Sequence, residues 1–411
     1  MFNEFTSLAT FALLVTSLAG CMPVGTRVSS AGAGTPIVQD YPTVSAQATL
    51  APTLAPASTS TVAPTKKPVL TTLPVTPTTT PAVSVARIAV QLPDNSVQLV
   101  DANGSQALLA KLDNQVDLSS IPAEGRPDSP LYLLVTGDPS TVMQIDANGA
   151  KKLDWITGPL YGIAATSSRL AWGTADIRAT MMAARIQISG VNGSGVKTGL
   201  EEIYKGVAQS LRVLRWSHDG TRLYFSKEPL GLGGYILFGG RTNLWSLDAS
   251  SGNATEVVHE IAPNAAVCID DLSPDETQVA DHCKVNGMEV INLTTKATRV
   301  ITPPSDIPQF GVVGGARFSP DGSRLAYALA RHDPSNEQGW VAVSEGTSGT
   351  SRLIATSPAQ DYFWVAAWLD SDTIVLQSGM SPQGVWTVRA DGSHLKRLAD
   401  GIFLGIVGRS S

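Results

Sequence analysis

The chain has 411 residues, of which 16% are charged and 43% hydrophobic, and its formal net charge is −6. Globular chains carry about 25% charged residues, so this one is charge-poor. Its negative charge argues against a nucleic-acid partner, because phosphate binding needs clustered Lys and Arg. No apolar run reaches the roughly 18 residues that a membrane-spanning helix needs, which excludes an integral transporter built from helices.

Residues 1–21 have the features of a bacterial export signal. The apolar stretch 8–18 is too short to span a membrane but suits the core of a signal peptide. It ends in LAGC (18–21), which resembles the lipobox of bacterial lipoproteins. The resemblance implies cleavage before Cys21 and acylation of its thiol, and two or more acyl chains anchor a protein stably. Because Glu4 precedes the core and no Lys or Arg does, a secretory peptide with an incidental cysteine is the alternative.

Residues 22–84 are rich in Thr, Ala, Pro, Val and Ser and poor in charge. Such a composition cannot bury enough apolar surface to offset its chain entropy. We therefore predict a disordered tether with a relaxed length of about 45 Å, which would hold a domain clear of a lipid surface. Residues 85–411 then form a mildly acidic globular domain. The first two segments together predict an extracytoplasmic protein, lipid-anchored to a membrane of the bacterial cell envelope.

From residue 85 onward the chain repeats one unit seven times. Each copy has two runs of alternating apolar and polar residues joined by a turn, usually rich in Asp, Asn or Gly, which is typical of a β-hairpin. The copies are SVQLVDANGSQALLAKL (96–112), TVMQIDANGAKKLDWI (141–156), RIQISGVNGSGVKTGLEEI (185–203), NLWSLDASSGNATEVV (243–258), GMEVINLTTKATRVI (287–301), GWVAVSEGTSGTSRLI (339–354) and GVWTVRADGSHLKRL (384–398). Their turns recur every 43 to 59 residues, and the commonest interval is roughly 45 residues, the length of a propeller blade.

A second hairpin precedes most of these copies. Its best examples are LRWSHDGTRLYFS (214–226) and ARFSPDGSRLAYAL (316–329), and weaker ones are IAATSSRLAWG (163–173), DLSPDETQVADHC (271–283) and AWLDSDTIVLQSG (367–379). Two hairpins per repeat make one four-stranded sheet. We predict an all-β fold, a β-propeller of four-stranded antiparallel blades. The count of repeats favours seven blades, with six or eight as the alternatives.

The two ends of this region predict how the propeller closes. The first repeat contains only three strands, within residues 85–112, and an additional strand, GIFLGIVGRSS (401–411), follows the seventh repeat. We expect this C-terminal strand to pair into the first blade as its innermost strand. Closure of this kind removes an edge of unpaired backbone groups.

The repeat resembles a known group of propellers. The sequences SHDGTRLYF (217–225), LWSLDASSG (244–252) and SPDGSRLAY (319–327) resemble the TolB-type propellers of bacterial envelopes, within the wider group of WD-like repeats. The resemblance covers nearly all of residues 85–411 and is specific to the repeat. It implies the propeller fold and a bias towards binding proteins or peptides.

The lengths of the connections predict a binding face. In a four-stranded blade the second-to-third connections lie on the face opposite the first-to-second turns. The first-to-second turns are all short, whereas longer stretches fall between second and third strands, at 173–184, 227–242 and 331–339. Connections longer than the fold needs are commonly functional. We therefore predict a protein, peptide or envelope-glycan partner on this face.

Two sets of residues are candidates for binding. The segment 229–241 carries Tyr235, Phe238 and Arg241, and its apolar tip needs either a partner or packing against the propeller rim. Arg215 and Arg317 precede matching aromatic residues, and Asp271 has the corresponding place in the fifth repeat. We expect these three to line or edge the central channel. Tryptophans at matching strand positions, such as Trp216 and Trp368, are predicted to pack between blades.

The remaining cysteines flank one predicted hairpin. Cys268 and Cys283 lie at equal distances from the midpoint of the turn at Asp275 and Glu276, so the two residues are expected to face each other. An oxidising envelope favours a disulfide between them, and two reduced core cysteines are the alternative. The nearby acidic residues lack the spacing of a calcium loop, and we expect no bound metal.

Signals for catalysis are missing from the sequence. The chain has no Gly-x-Ser-x-Gly elbow, Walker loop or His-x-x-x-His zinc pair. We therefore predict a binding or scaffold module without catalytic residues or a cofactor. The alternative is a propeller enzyme, of the lactonase, lyase or cyclase kind, with its site in the central funnel.

Overall fold

The structure is a computed structural model that describes residues 86–117, 130–178, 181–230, 237–258, 267–283, 287–308, 310–331, 336–346, 349–380 and 382–408. The predicted signal peptide, Cys21 and the predicted tether lie outside these residues. The described chain forms 27 β-strands in seven antiparallel sheets. None of the described residues belongs to a helix long and apolar enough to cross a membrane.

The seven sheets are the blades of a propeller, numbered here in chain order. The strands of blades 1 to 3 are β1 (Arg87–Gln91), β2 (Ser96–Val100), β3 (Gln106–Lys111); β4 (Leu131–Val135), β5 (Ser140–Asp146), β6 (Gly149–Gly158); and β7 (Leu160–Ala165), β8 (Arg169–Arg178), β9 (Met181–Gly190), β10 (Lys197–Tyr204). Those of blades 4 and 5 are β11 (Gln209–Trp216), β12 (Arg222–Pro229), β13 (Leu244–Asp248), β14 (Ala254–Val258); and β15 (Ile269–Leu272), β16 (Gln278–Asp281), β17 (Met288–Asn292), β18 (Thr298–Ile301). Those of blades 6 and 7 are β19 (Val312–Phe318), β20 (Arg324–Arg331), β21 (Gln338–Glu345), β22 (Ser351–Thr356); and β23 (Phe363–Trp368), β24 (Thr373–Ser378), β25 (Gly384–Arg389), β26 (Lys396–Asp400). The last strand, β27 (Ile402–Val407), belongs to blade 1.

The closure predicted from the sequence is confirmed. Strand β27 pairs antiparallel with β1, from Arg87 opposite Val407 to Gln91 opposite Ile402. Blade 1 therefore has the strand order β27-β1-β2-β3, with the end of the chain as its innermost strand. This pairing joins the two ends of the domain in one sheet and satisfies the backbone groups along the edge of β1.

Blade 2 departs from the expected pattern. Three of its strands form the sheet β4-β5-β6, and the place of an innermost strand is taken by a bridge between Val116 and Val135. The connection from this bridge to β4 runs through residues 118–130, so the expectation that all first-to-second turns are short is wrong for this blade.

The repeated Ser-x-Asp motif has one structural cause. In blade 6 the Ser319 hydroxyl donates to Asp321 Oδ1 over 2.6 Å and accepts from the backbone N–H of Arg324 over 2.9 Å. Ser217 in blade 4 and Ser273 in blade 5 make the equivalent pairs of bonds. The serine thus replaces a missing main-chain partner inside the turn, as Asx and ST turns do.

The core lies between the blades. The indole of Trp216 packs beneath β7 and donates from Nε1 to the carbonyl of Ala164 in the preceding blade over 3.3 Å. The indole of Trp368 donates in the same way to the main-chain carbonyl of Arg317 in blade 6 over 3.0 Å. Guanidinium groups of preceding blades lie over both rings, with Arg169 4.5 Å from the Trp216 centroid. The predicted packing of the repeated tryptophans between blades is confirmed.

One predicted loop is a strand pair. Residues 173–184 were expected to form a long connection, but β8 and β9 pair continuously from Arg169 opposite Gly190 to Arg178 opposite Met181. The hairpin extends well beyond the innermost strand β7, which pairs only as far as Leu160 opposite Thr174. The expectation of a loop was wrong because residues 174–184 contain no Gly, Pro or Asn that would mark a turn within a strand-compatible sequence.

Candidate functional site at the channel mouth

The longer connections share one end of the propeller, which we call the connection face. It carries the second-to-third connections and the blade-to-blade connections, opposite the Ser-x-Asp turns. The tip of the β8–β9 hairpin projects there with Ile177 62% exposed. Val207, between β10 and β11, and Met380, between β24 and β25, are exposed on the same face.

A segment of blade 4 docks on this face over the innermost strands of blades 5 and 6, beside the channel mouth. This capping segment, Leu237–Arg241, belongs to the connection between β12 and β13. Phe238 is buried against Ala328 and Ala330 of β20 and against Tyr362, whose ring centroid is 6.5 Å away. The sequence left open whether the apolar tip binds a partner or packs against the propeller, and Phe238 packs against the propeller. Tyr235 lies outside the described residues.

Backbone hydrogen bonds fix the other end of the capping segment. The N–H of Arg241 donates to the carbonyl of Ile269 over 2.9 Å, and the N–H of Ile269 donates to the carbonyl of Arg241 over 2.8 Å. Ile269 begins β15, the innermost strand of blade 5. A Cβ on Gly314 of β19 would lie 2.6 Å from the Cβ of Phe238, so glycine permits the close approach. The segment therefore crosses from blade 4 over the innermost strands of blades 5 and 6.

Charged side chains lie beneath and beside the capping segment. Arg241 Nε is 4.0 Å from Glu228 Oε1 at the end of β12. Glu228 also accepts from Arg212 Nε over 2.5 Å and from the Ser226 hydroxyl over 2.8 Å. The side chain of Arg241 is 29% exposed, yet desolvation lowers the pKa of its guanidinium. The guanidinium of Arg241 is therefore partly shielded from solvent.

An imidazole–carboxylate pair lies next to the capping segment. In blade 5 the register of β15 against β16 shifts at Asp270, and the bulge directs this carboxylate to His282. The His282 Nδ1 to Asp270 Oδ2 distance is 2.9 Å. Burial opposes the charged imidazole, but the hydrogen bond to Asp270 and the charges of Asp270 and Asp281 outweigh it, so the pKa of His282 is raised. The imidazole also hydrogen-bonds to the main chain of Phe238, which ties it to the capping segment.

The predicted channel residues lie together in neighbouring blades. Arg215 donates to the carbonyls of Leu272 and Ser273 in blade 5 over 3.1 and 2.9 Å. Asp271 Oδ2 accepts from the N–H of Phe318 in blade 6 over 2.9 Å. Burial raises the pKa of Asp271, against the opposing charges of Arg317 and Arg215. Arg215 and Asp271 thus connect blades 4, 5 and 6 through main-chain contacts.

Arg317 differs from these two residues because it reaches the level of the capping segment. Its Nη1 donates to the carbonyl of Asp270 over 3.0 Å and to that of Ala316 over 2.9 Å. The charges of Arg317 and Arg212 both lower the pKa of Arg241, so each of these guanidinium groups lies within electrostatic reach of Arg241. Within the described residues no three His, Cys, Asp or Glu side chains form a group that could hold a metal ion.

Sequence reasoning missed Arg212, Glu228 and the His282–Asp270 pair as parts of one site. The available signal was the pair Lys227-Glu228, which ends the buried run of β12 with two charges. The convergence itself depends on which strand is innermost in each blade and on the path of the capping segment. Neither can be read from the spacing of residues in the chain.

The disulfide predicted from the sequence is present beside this site. Cys268 and Cys283 are bonded, with Cα atoms 4.8 Å apart. Asp281 Oδ1 accepts from the N–H of Cys268 over 2.5 Å. Because Cys268 precedes Ile269, the disulfide holds in place the strand on which the capping segment docks.

These features define the class of the protein: a seven-bladed β-propeller of antiparallel sheets. The fold is similar to that of TolB from Acinetobacter baumannii, with 13% identity, a TM-score of 0.43, and coverage of 79% of this chain and 82% of that chain. It is also similar to an oligogalacturonate lyase in complex with manganese, with 14% identity, a TM-score of 0.48 and coverage of 72% and 82%. A chain of a mitotic checkpoint complex has 14% identity, a TM-score of 0.43 and coverage of 80% and 98%.

At these identities the likeness concerns the fold alone. No family model matches the chain, and no curated protein matches it.

Proposed function

We propose that this protein is a non-catalytic binding module of the bacterial cell envelope, anchored by lipid on Cys21, which engages a protein, peptide or glycan on its connection face. The observation that carries the proposal is the capping segment. Phe238 and Arg241 hold this segment against blades 5, 6 and 7 through buried packing and two main-chain hydrogen bonds. A partner that approaches this end of the propeller therefore contacts the residues around the channel mouth before it can enter the channel.

The shape of the connection face supports this proposal. The β8–β9 hairpin and the connection between β12 and β13 both extend beyond what a four-stranded blade requires. Elements of this kind on a rigid scaffold are commonly the binding elements. Ile177, Val207 and Met380 present exposed apolar side chains on this face, and apolar contacts within a polar rim are what a protein interface uses.

The second candidate is a propeller enzyme with its site in the funnel. The observation in its favour is the His282–Asp270 pair, because an imidazole with a raised pKa beside a carboxylate suits acid–base chemistry. His282→Gln separates the two functions: it abolishes turnover of a substrate but leaves capture of a partner on the connection face unchanged.

The experiment is photocrosslinking in intact cells. A photoreactive amino acid replaces Ile177 on the connection face, and in the matched control it replaces His218, which is exposed in a turn on the opposite face. We expect a crosslinked species from position 177 and none from position 218. Capture from position 218 alone would contradict the choice of face. Separately, Cys21→Ser should move the protein from the membrane fraction to the soluble one.

A further inference from the structure

We propose that the channel mouth contains a binding site for an oxyanion, a carboxylate or a phosphate group, between the guanidinium groups of Arg241 and Arg317. The site does not depend on the proposed function, because a small anion binds there whether or not a macromolecule engages the connection face. Three observations carry it: the convergence of the two side chains, their unused donors, and the prior engagement of the nearby carboxylates.

The two arginines flank the same short piece of β15. The main chain of Arg241 is hydrogen-bonded to Ile269, and Arg317 Nη1 donates to the carbonyl of the next residue, Asp270. One arginine comes from the capping segment and the other from β19, so they approach this piece from two different elements. The main chain of Arg241 and the side chain of Arg317 thus both contact this piece of β15.

Both guanidinium groups have donors without a partner. Arg241 makes no side-chain hydrogen bond with any described residue, and its one ion pair, to Glu228, spans 4.0 Å. The Nε atoms of Arg241 and Arg317 are buried and unbonded within the described part of the chain. A buried charged donor without an acceptor is unfavourable, and such an exception in a folded protein requires an explanation. An anionic ligand supplies the missing acceptors.

The carboxylates near these arginines are already engaged. Glu228 accepts from Arg212 and Ser226, and Asp270 accepts from His282. The groups that act on Arg241 are the two carboxylates Glu228 and Asp270 and the two further cations Arg317 and Arg212. Arg317 and Arg212 add positive charge beside Arg241, and these neighbouring cations favour an anion at this place.

The chemistry of guanidinium selects the class of ligand. Its planar fork of donors matches the paired oxygens of a carboxylate or phosphate, and such charge-assisted bonds are short and strong. The 29% exposure of the Arg241 side chain gives the ligand access from the channel mouth. Because the guanidinium of Arg241 is partly shielded from solvent, added salt should weaken the binding less than it weakens an exposed ion pair.

The test is isothermal titration of the purified full chain in detergent with inorganic phosphate or with acetate, at constant ionic strength. We expect saturable binding of at least one anion. If only phosphate or only acetate binds, the result identifies which oxyanion the site takes. If each of them binds in its own titration, the site recognises the chemistry that the two anions share. Absence of saturable binding with either anion overturns the proposal.

Variants locate the site. Arg241→Gln and Arg317→Gln should each weaken binding at least tenfold, whereas Arg397→Gln, at an exposed position on β26, should leave it unchanged. If Arg241→Gln does not fold, Arg241→Lys keeps the charge but loses the fork, and a weakened affinity is again expected. Equal affinity of the wild type and a folded Arg241 variant overturns the assignment.

Discussion

Glu276 has a left-handed backbone, with φ of 62°, at a turn position where blades 4 and 6 have glycine. A non-glycine residue in this region is strained by roughly 1 kcal/mol. The Glu276 carboxylate accepts from the N–H of His218 over 2.6 Å, from Arg222 over 2.8 Å and from the Tyr224 hydroxyl over 2.7 Å. These three bonds join blade 5 to blade 4 and offset the strain.

Glu276→Gly tests this balance. The substitution relieves the backbone but removes three hydrogen bonds between blades, so we expect a net destabilisation of about 1–3 kcal/mol. The measurement is urea denaturation followed by circular dichroism. Glu276→Gln, which keeps one acceptor oxygen at the same strained position, is the matched comparison and should lie between the glycine variant and the wild type. A glycine variant more stable than the wild type would show that the strain dominates.

His282 gives the channel mouth a dependence on pH. Its pKa is raised in the folded protein, where Asp270 and Asp281 face it and the main chain of Phe238 accepts from it. The stability it adds is therefore complete below the unfolded pKa of about 6.5 and is lost as the pH rises through the folded pKa. The free energy of unfolding of the wild type should exceed that of His282→Gln most near pH 6, and the difference should shrink by pH 9. A difference that is constant over this range would contradict the role of the charged imidazole.

At the scale of elements, alternation and turn residues predicted most of the strands, because a strand with one buried face must alternate. They failed for residues 173–184, where no turn residue marks the reversal of a long hairpin. The capping segment was recognised as an insertion, but its docking was not predictable. Burial of Phe238 depends on Gly314 and Tyr362, which come from other blades and are distant in the sequence.

The disulfide is expected to stabilise the element on which the capping segment docks. Cys268 and Cys283 are 15 residues apart, for which the chain-entropy model gives an upper value of about 3 kcal/mol. Replacing both cysteines by serine should lower the free energy of unfolding by less than this, because blade 5 already restrains the loop. The wild type should lose the same amount in a reducing buffer, whereas the double variant should be insensitive to the reductant. Sensitivity of the double variant would show that the effect arises elsewhere.

At the scale of the whole molecule, the count of repeats and the orphan C-terminal strand were sufficient to predict seven blades and their closure. The irregular blade 2 was not predictable, since the bridge between Val116 and Val135 replaces a full strand. The arginine-lined mouth also depends on the closed ring, because its residues come from three blades and from one connection.

Removal of residues 401–411 should prevent closure. Without β27 the edge of β1 is unpaired and the buried Phe403, Leu404 and Ile406 no longer fill the space between blades 1, 2 and 7. We expect loss of cooperative unfolding and aggregation on size-exclusion chromatography. Removal of residues 409–411 is the control and should leave the elution and the unfolding curve unchanged. A soluble, cooperatively folded protein after the longer truncation would contradict the closure.

The central claim is that Leu237–Arg241 docks over the innermost strands of blades 5 and 6 at the mouth of the channel. Hydrogen–deuterium exchange of the native protein, read by mass spectrometry on peptides that contain Arg241 and Ile269, tests it most directly. The amides of both residues donate to each other's carbonyls, so they should exchange far more slowly than the exposed amide of Asp219, in the turn between β11 and β12. Exchange of the Arg241 and Ile269 amides as fast as that of Asp219 would mean that the segment is not docked, and would contradict the claim.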